Sequence, residues 1–257
     1  MLSTKDLALL GQKGISEKQI EEQLDCFRKG FPFLEIMASA SVEKGISVID
    51  KEAQVGYMEA WDAYLNQNKR ILKFVPASGA ASRMFKDLYE FLDSDSNEPF
   101  SPFIEKFFAG LTSFAFYNAL DAVCLKNEKR TIPQLLSDKE YKAVVNNLLS
   151  SGGLNYGQLP KGLLQFHTYP ACVRTAMEEH LAEGAMYAKN NAAEVNIHFT
   201  VSPEHKALFE QLVAAKVPAY ENKFSVRYDI SFSVQKPSTD TLAADSENQP
   251  FRDKEGN

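Results

Sequence analysis

Hydrophobic residues recur at helical spacing through residues 1–66 and predict a helical N-terminal extension. Ser16 and Gln19 have the spacing of a capping box at the start of one helix, whose apolar face carries Ile20, Leu24 and Phe27. A second helix is predicted from about residue 51 to residue 65, with Val55, Met58, Ala60 and Trp61 as candidates for its buried side. Packing of this extension on the core is favoured over a role as a partner-binding layer.

Residues 67–257 alternate between strand-like and helix-like patterns and predict an α/β domain. Residues 70–75 form a β-prone run, followed by small residues and then by helical spacing from Arg83 onward. Residues 93–158 read as a helical insertion, within which Ser101 and Pro102 open an apolar helix.

The strand and helix patterns resume after the insertion. A helix is predicted from Pro170 to about Asn190, with Val173, Met177, Leu181 and Ala185 buried. Residues 195–201 and 224–234 alternate as strands do, and a helix capped by Ser202 and ending near Lys216 separates them. Strand, helix and strand with short connections predict a mostly parallel sheet.

Composition narrows the class of protein. The 257 residues are 44% hydrophobic with a net charge of −6, which argues against nucleic-acid binding over the whole surface. No apolar run reaches the roughly 18 residues of a membrane helix, so no membrane association is expected. Cys26, Cys124 and Cys172 lack paired spacing and are expected to be buried thiols in a reducing compartment, which makes the cytoplasm the default location.

A loop of small residues between a strand and a helix is a candidate phosphate site. It runs from Ala77 to Ser82 and is followed by Arg83. Free amide N–H groups, a helix dipole and absent side chains all favour a phosphate there. The loop lacks the GK[ST] ending of a P-loop and the GxGxxG of a dinucleotide site, and a tight turn packed on the sheet would need similar residues.

A second candidate is the turn Leu159–Leu164, with sequence LPKGLL. Lys161 stands between Pro160 and Gly162, and a lysine held in a rigid turn is a compact charge suited to a phosphate. A solvated turn lysine is the simpler alternative.

Together these two motifs resemble the sugar-nucleotide pyrophosphorylases, a nucleotidyltransferase family with a GGxGTR loop and a downstream PK dipeptide. The matching stretches are VPASGAASRM at 75–84, LPKGLLQF at 159–166 and SFSVQKPSTDTLAAD at 231–245. With RTAMEEHL and FTVSPEH, the chain is more similar still to an uncharacterised bacterial family of nucleotidyltransferase-like proteins, a domain of unknown function. That closer resemblance spans nearly the whole sequence.

The resemblance implies a Rossmann-like fold of the nucleotide-diphospho-sugar transferase type. It also implies that a nucleoside triphosphate and a sugar 1-phosphate react to give a nucleotide sugar and pyrophosphate. The residues implied to cradle the triphosphate are Ser78, Gly79, Ala80, Ala81 and Ser82. Arg83 would neutralise the pyrophosphate, Lys161 the α-phosphate or sugar phosphate, and Gln235 would lie near the base.

Two departures from the family pattern bear on activity. Only Gly79 matches the three loop glycines, because Ser78 and Ala81 fill the other two places, and an Ala is costly where φ must be positive. The Gly-rich base-binding segment and the metal-binding Asp have no counterpart before Asn257. Mg²⁺ is therefore expected for the full-length protein and not for this chain, which is predicted to be inactive alone.

The tail supports the same expectation. Residues 236–257 are polar, and the final DKEGN is typical of a hairpin turn whose returning strand is absent. The sequence is thus expected to stop inside a domain. Disorder of the last residues is the alternative.

Three functional hypotheses follow. The first is a nucleotidyltransferase-type domain whose partners are a nucleotide and a phosphorylated sugar. The second is a degenerate relative that binds such a ligand without catalysis, and the third is an interaction scaffold built on the helical regions 1–66 and 93–158.

Other polar residues give weaker signals. Asp93-Ser94-Asp95 follows a helix and not a strand, so it reads as a surface loop and not as a metal site. His167 could approach a sugar or phosphate, and His198 faces either a covering helix or the site. His180 reads as a surface or core-edge residue, and His205 lies in the first turn of its helix.

Overall fold

The structure is a computed structural model that describes residues 2–67 and 69–252. Within them the chain forms ten α-helices and five β-strands. The helices are α1 (Thr4–Lys13), α2 (Glu17–Lys29), α3 (Lys51–Leu65), α4 (Lys86–Asp93), α5 (Pro102–Ala109), α6 (Tyr117–Glu128), α7 (Ile132–Ser137), α8 (Tyr141–Leu149), α9 (Ala176–Tyr187) and α10 (Lys206–Phe224). The strands are β1 (Leu72–Pro76), β2 (Gln165–Tyr169), β3 (Cys172–Thr175), β4 (Glu194–Val201) and β5 (Arg227–Val234).

The chain divides into two compact units, Met1–Ala60 with Gln235–Asn257, and Trp61–Val234. In the first unit, the predicted capping box at the start of α2 is confirmed. Ser16 Oγ accepts from the Gln19 N–H, and the Gln19 side chain accepts from the Ser16 N–H in return. A small apolar core lies between α1, α2 and the tail, formed by Ile15, Ile20 and Leu24.

The C-terminal tail belongs with these N-terminal helices, which differs from the predicted limits of 1–66 and 67–257. Polar contacts hold it there: Lys13 Nζ lies 2.8 Å from Asp240 Oδ2, and Leu242 N–H donates to Gln23 Oε1 at 2.8 Å. Residues 253–257, where a hairpin turn was expected, lie outside the described residues.

Helix α3 has the predicted bounds, but the prediction of its buried side is wrong. Val55, Met58 and Trp61 are 54%, 68% and 40% exposed, and Ala60 is exposed as well. Spacing along a helix shows which residues share a face, whereas burial depends on what packs against that face.

In the second unit, strands β1, β4 and β5 form a three-stranded parallel sheet in the order β1-β4-β5. The predicted α/β class with a mostly parallel sheet is therefore confirmed. Helices α9 and α10 cover one face of the sheet. The buried residues of that layer are Val75, Met177, Leu181, Ala182, Ala185, Val195, Ile197, Phe199, Val201, Phe209, Tyr220 and Val226.

Three predicted boundaries are corrected. Residues 170–175 do not belong to a helix, because β2 and β3 form an antiparallel hairpin and α9 starts only after Thr175, which caps it with Glu178. Helix α10 continues past Lys216 to Phe224, with Pro218 inside it. Strand β5 consequently begins at Arg227 and not at residue 224.

The helical insertion contains α5 to α8 and packs with α4 around a core of its own. Ser101 Oγ accepts from the Ile104 N–H, and Pro102 occupies the first turn of α5 as predicted. The core of this cluster includes Leu88, Phe91, Ile104, Leu111, Leu120, Cys124, Ile132, Leu135, Val144, Val145 and Leu148. Asn147 is buried within it and hydrogen-bonds Asn127, Glu128 and Ala143.

The cysteines do not all behave as expected. Cys124 is fully buried, Cys26 is half-buried and Cys172 is exposed. Among the helices of residues 2–67 and 69–252, none combines the length and apolar character needed to cross a bilayer.

Candidate functional site

The small-residue loop leaves the sheet at the carboxyl end of β1. The Ala77 N–H donates to the Thr200 carbonyl on β4 at 2.7 Å, and the chain then departs from the sheet. A short 3-10 helix, Ser82–Phe85, precedes α4. The sequence predicted that one helix would begin directly after the loop. Because the 3-10 helix comes first, the helix dipole at the loop is limited to this short turn.

The loop backbone needs no glycine for its own conformation. Gly79, Ala80 and Ala81 all lie outside the positive-φ region, so the alanines cause no strain. A Cβ added to Gly79 would meet no atom within 4 Å. The N–H groups of Ser78, Gly79 and Ala80 donate to no acceptor in the described chain, which leaves them available to an anion.

The lysine turn lies directly against this loop. The Lys161 N–H donates to the Gly79 carbonyl at 3.2 Å, and Ala80 and Pro160 form an isolated antiparallel bridge. The structure therefore brings together the two motifs that the sequence separates by the whole helical insertion. Lys161 is exposed and makes no ion pair with a described residue.

A pocket of about 150 Å³ opens where the loop, the turn and the first turns of α9 meet. Phe199 and Phe209 contribute buried rings to its lining. The other lining residues are Val75, Pro76, Ala77, Gly79, Lys161, Gly162, Ala176, Met177 and His180. Gly162 is required by packing, because a Cβ there would lie 2.9 Å from Cε1 and Cζ of Phe209.

His180 is the one titratable group besides Lys161 in the pocket lining, and the sequence did not identify it as a site residue. Its Nδ1 lies 3.3 Å from Glu183 Oε2, while Nε2 has no hydrogen-bond partner among the described residues. Burial, followed by the nearby Lys73 ammonium, lowers the pKa of His180 below its ordinary value. The imidazole is therefore neutral near pH 7.

Glu183 is held from several directions. Its Oε2 accepts hydrogen bonds from Lys73 Nζ and from Tyr187 OH, and the Lys73 contact lowers the pKa of its carboxyl group. The Lys73 side chain is only 10% exposed. A fixed, ionised carboxylate next to Nδ1 favours the tautomer with the proton on Nδ1 and the lone pair on Nε2.

The other predicted site residues that the structure describes are absent from the pocket lining. Arg83 is exposed, has no ion-pair partner among the described residues and does not line the pocket. The Ser82 side chain lies outside the described part of the structure. Gln235 is exposed and belongs to the other unit. Ser78, Ala80 and Ala81 belong to the loop but do not line the pocket. Their role in binding therefore stays a prediction.

The remaining histidines have other surroundings. His198 points to the opposite face of the sheet, where its ring stacks on Phe74 and its nitrogens lie 2.9 and 2.8 Å from the hydroxyls of Ser231 and Ser233. His167 lies on β2 with its side chain 55% exposed and does not line the pocket. His205 Nδ1 lies 2.7 Å from Ser202 Oγ.

The acidic residues provide no metal centre in the described chain. Asp93 and Asp95 are exposed at the end of α4, consistent with a surface loop. Across residues 2–67 and 69–252, no group of three or more His, Cys, Asp or Glu side chains is placed to hold a metal ion. The pocket lining itself contains no carboxylate, so the residues there do not fit Mg²⁺, which prefers oxygen ligands.

Fold and site together define an α/β protein with a small pocket at the carboxyl end of a parallel strand. The chain belongs to the family described as "Domain of unknown function (DUF4301)", whose profile matches residues 3–257. No curated protein matches the chain. No solved structure matches it either.

Proposed function

We propose that this pocket binds the phosphoryl group of a nucleotide or a phosphorylated sugar, as part of a nucleotidyltransferase-type site on a Rossmann-like fold. The supporting observation is the hydrogen bond from the Lys161 N–H to the Gly79 carbonyl, which holds the lysine turn against loop amides that donate to no acceptor in the described chain. Lys161 and Gly79 both line the pocket. Such a combination is complementary to a phosphate. The position at a strand's carboxyl end is where open α/β sheets bind their ligands.

The proposed reaction joins a nucleoside triphosphate to a sugar 1-phosphate. An oxygen of the sugar phosphate attacks the α-phosphorus, the bond to the β-phosphate breaks, and pyrophosphate leaves with the bonding electrons. Lys161 would neutralise charge on the phosphate it binds. Arg83 would act on the part of the ligand that extends beyond a pocket of about 150 Å³, which holds a phosphoryl group but no whole nucleotide.

Mg²⁺ remains part of the proposal only as a partner of the nucleotide. Because the pocket lining lacks carboxylates, no step of this mechanism is assigned to a protein-bound metal ion. Nucleotides carry Mg²⁺ on their own phosphates, so binding is best compared with and without the ion.

Binding without transfer is a second candidate, favoured by one observation. Lys161 is the single cation in the pocket lining, and Arg83 lies outside it. One cation and several amides can hold a phosphate, whereas transfer needs charge stabilisation on the leaving group as well.

Calorimetric titration of the protein with UTP, CTP, GTP, ATP and glucose 1-phosphate, each with and without Mg²⁺, tests the proposal. A charge-assisted hydrogen bond contributes about 1.5 kcal/mol or more, so Lys161→Ala is expected to weaken phosphate binding about tenfold. Lys106→Ala removes an exposed lysine of α5 outside the pocket and serves as the matched control. Arg83→Ala tests the second cation.

Some outcomes contradict the proposed site, and another separates the two candidate functions. Failure of every nucleotide and sugar phosphate to bind, or equal binding by the Lys161→Ala and Lys106→Ala variants, would contradict the proposed site. Pyrophosphate exchange separates the two candidates: exchange supports the transferase, and binding without exchange supports the non-catalytic protein.

A further inference from the structure

The pocket contains a polar group whose chemistry differs from that of the phosphate-binding elements. His180 lies in the pocket lining with Lys161 and Gly79, and its side chain is 34% exposed. Its ring packs edge-on against Phe199, with centroids 6.2 Å apart. One side of the imidazole is thus fixed by packing, and its Nδ1 by Glu183.

This arrangement makes Nε2 a hydrogen-bond acceptor. When Nδ1–H donates a hydrogen bond to the Glu183 carboxylate, the neutral ring keeps a lone pair on Nε2. Phosphate oxygens are acceptors themselves at neutral pH, so they gain nothing from a second acceptor. A hydroxyl group is the complementary partner, because it can donate its proton to Nε2.

We infer that His180 is a specificity-determining residue that accepts a hydrogen bond from a hydroxyl group of the ligand, so that the site takes phosphorylated polyhydroxy compounds in preference to phosphates lacking a hydroxyl. The inference rests on the proposed function, since Lys161 and the loop must first hold the phosphoryl group. Glu183 is a positioning residue that acts through His180. The pocket volume of about 150 Å³ restricts the recognised part to the phosphoryl group and the carbon atoms nearest to it.

The charged groups around His180 set the pH dependence. Lys73 on β1 disfavours its protonation, whereas Glu183 and Glu179 on its own helix favour it. Lys161 in the turn is the other charged residue of the pocket lining. Burial and Lys73 prevail, so the pKa of His180 is lowered and the acceptor form persists at neutral pH. As the pH falls below that pKa, the ring becomes a double donor and the preference for a hydroxyl group is lost.

A matched pair of ligands isolates the hydroxyl contribution. Glycerol 3-phosphate and propyl phosphate have the same three-carbon length, and only the first carries hydroxyl groups. We expect the protein to bind glycerol 3-phosphate about three- to tenfold more tightly at pH 8, the worth of one neutral hydrogen bond. Because both phosphates titrate alike, the ratio of their affinities cancels the titration of phosphate and lysine. This ratio should fall toward one as the pH is lowered below the pKa of His180, which itself lies below its ordinary value.

Variants then assign the effect. His180→Ala should reduce the ratio to about one without changing the affinity for propyl phosphate, and His180→Gln, which retains an acceptor, should restore part of it. Glu183→Gln should lower the ratio while leaving it sensitive to pH. Lys161→Ala should lower the affinity for both ligands by the same factor. His167→Ala, an exposed histidine outside the pocket, should change neither value. Thermal unfolding of each variant verifies that it is folded.

Four results overturn the inference, and only the last of them also overturns the proposed function. Equal affinities for the two ligands in the wild-type protein, or a ratio unchanged in His180→Ala, would refute the role of His180 and leave the proposed phosphate site standing. A ratio that rises at low pH would also refute it, because it would show that the protonated ring donates to the ligand. If neither phosphate binds at all, the proposed function fails and this inference fails with it.

Discussion

The contact between Gly162 and Phe209 offers a quantitative test of how the lysine turn is held. A Gly162→Ala substitution would place a Cβ 2.9 Å from two carbons of the Phe209 ring, about an ångström closer than a normal carbon–carbon contact. The ring is fully buried, with the rings of Phe199 and Phe232 at centroid distances of 6.3 and 6.4 Å, so it has little room to turn away. The turn itself must therefore shift.

Overpacking of this kind costs about 1–3 kcal/mol in the free energy of unfolding. For a protein of this size, such a loss lowers Tm by roughly 2–12 °C. Far-UV circular dichroism during heating measures it directly. The backbone φ of Gly162 is not positive, so the whole effect is attributed to the ring contact and not to backbone strain.

Gly79→Ala is the matched control for stability. The same methyl group would enter open space there, again at a position without positive φ, so stability should stay unchanged or rise by up to about 1 kcal/mol. Phosphate binding should nevertheless weaken, because the methyl group occupies the face of the loop that the ligand approaches.

A double-mutant cycle adds the decisive comparison. In a Phe209→Leu background, which has no ring to displace, Gly162→Ala should cost clearly less than it does in the wild-type protein. If Gly162→Ala melts at the wild-type temperature, or costs the same in both backgrounds, the steric explanation is refuted.

Two further predictions concern the helical insertion. Asn147→Ala removes a buried side chain with three hydrogen-bond partners. Urea denaturation should show the free energy of unfolding lowered by about 1–3 kcal/mol. A change below about 0.5 kcal/mol would contradict this prediction. Burial raises the pKa of the Cys124 thiol to about 11, so iodoacetamide at pH 8 should modify the exposed Cys172 in the folded protein and reach Cys124 only after denaturation, as peptide mass spectrometry can measure. Equal labelling rates at the two cysteines would show that this region opens readily.

The features that sequence predicts best here are local ones. The capping box of Ser16 and Gln19, the bounds of α3 and the alternation in β4 depend only on neighbouring residues, and all three are confirmed. The buried side of α3 and the burial of Cys172 depend on distant parts of the chain, and both predictions are wrong.

The hairpin β2–β3 shows how a wrong boundary hid a site residue. Starting the helix at Pro170 overlooked the capping box formed by Thr175 and Glu178, a local signal that marks the true start of α9. With the hairpin absent from the prediction, nothing placed α9 next to the lysine turn. The spacing of His180 and Glu183, three residues apart on one helix, was the signal that could have identified the pair.

That the small-residue loop and the lysine turn lie side by side was expected only from the resemblance to a known family. No pattern in the residues themselves predicts it. A backbone bridge between Ala80 and Pro160 depends on the path of the entire insertion between them. Sequence spacing carries no information about such a closure, whereas each motif by itself is recognisable from its small, basic and proline residues.

The same bridge gives the helical insertion an unusual freedom to change. Ala80 and Pro160 are paired like neighbouring strands, so the chain departs from the α/β layer and returns to it at points only about 5 Å apart. An inserted segment whose two ends are adjacent can be lengthened, shortened or replaced by another fold without altering the sheet. Members of one family could thus differ greatly in size between these two positions while keeping the same pocket, and a transplanted module joined at the same two points should leave it intact.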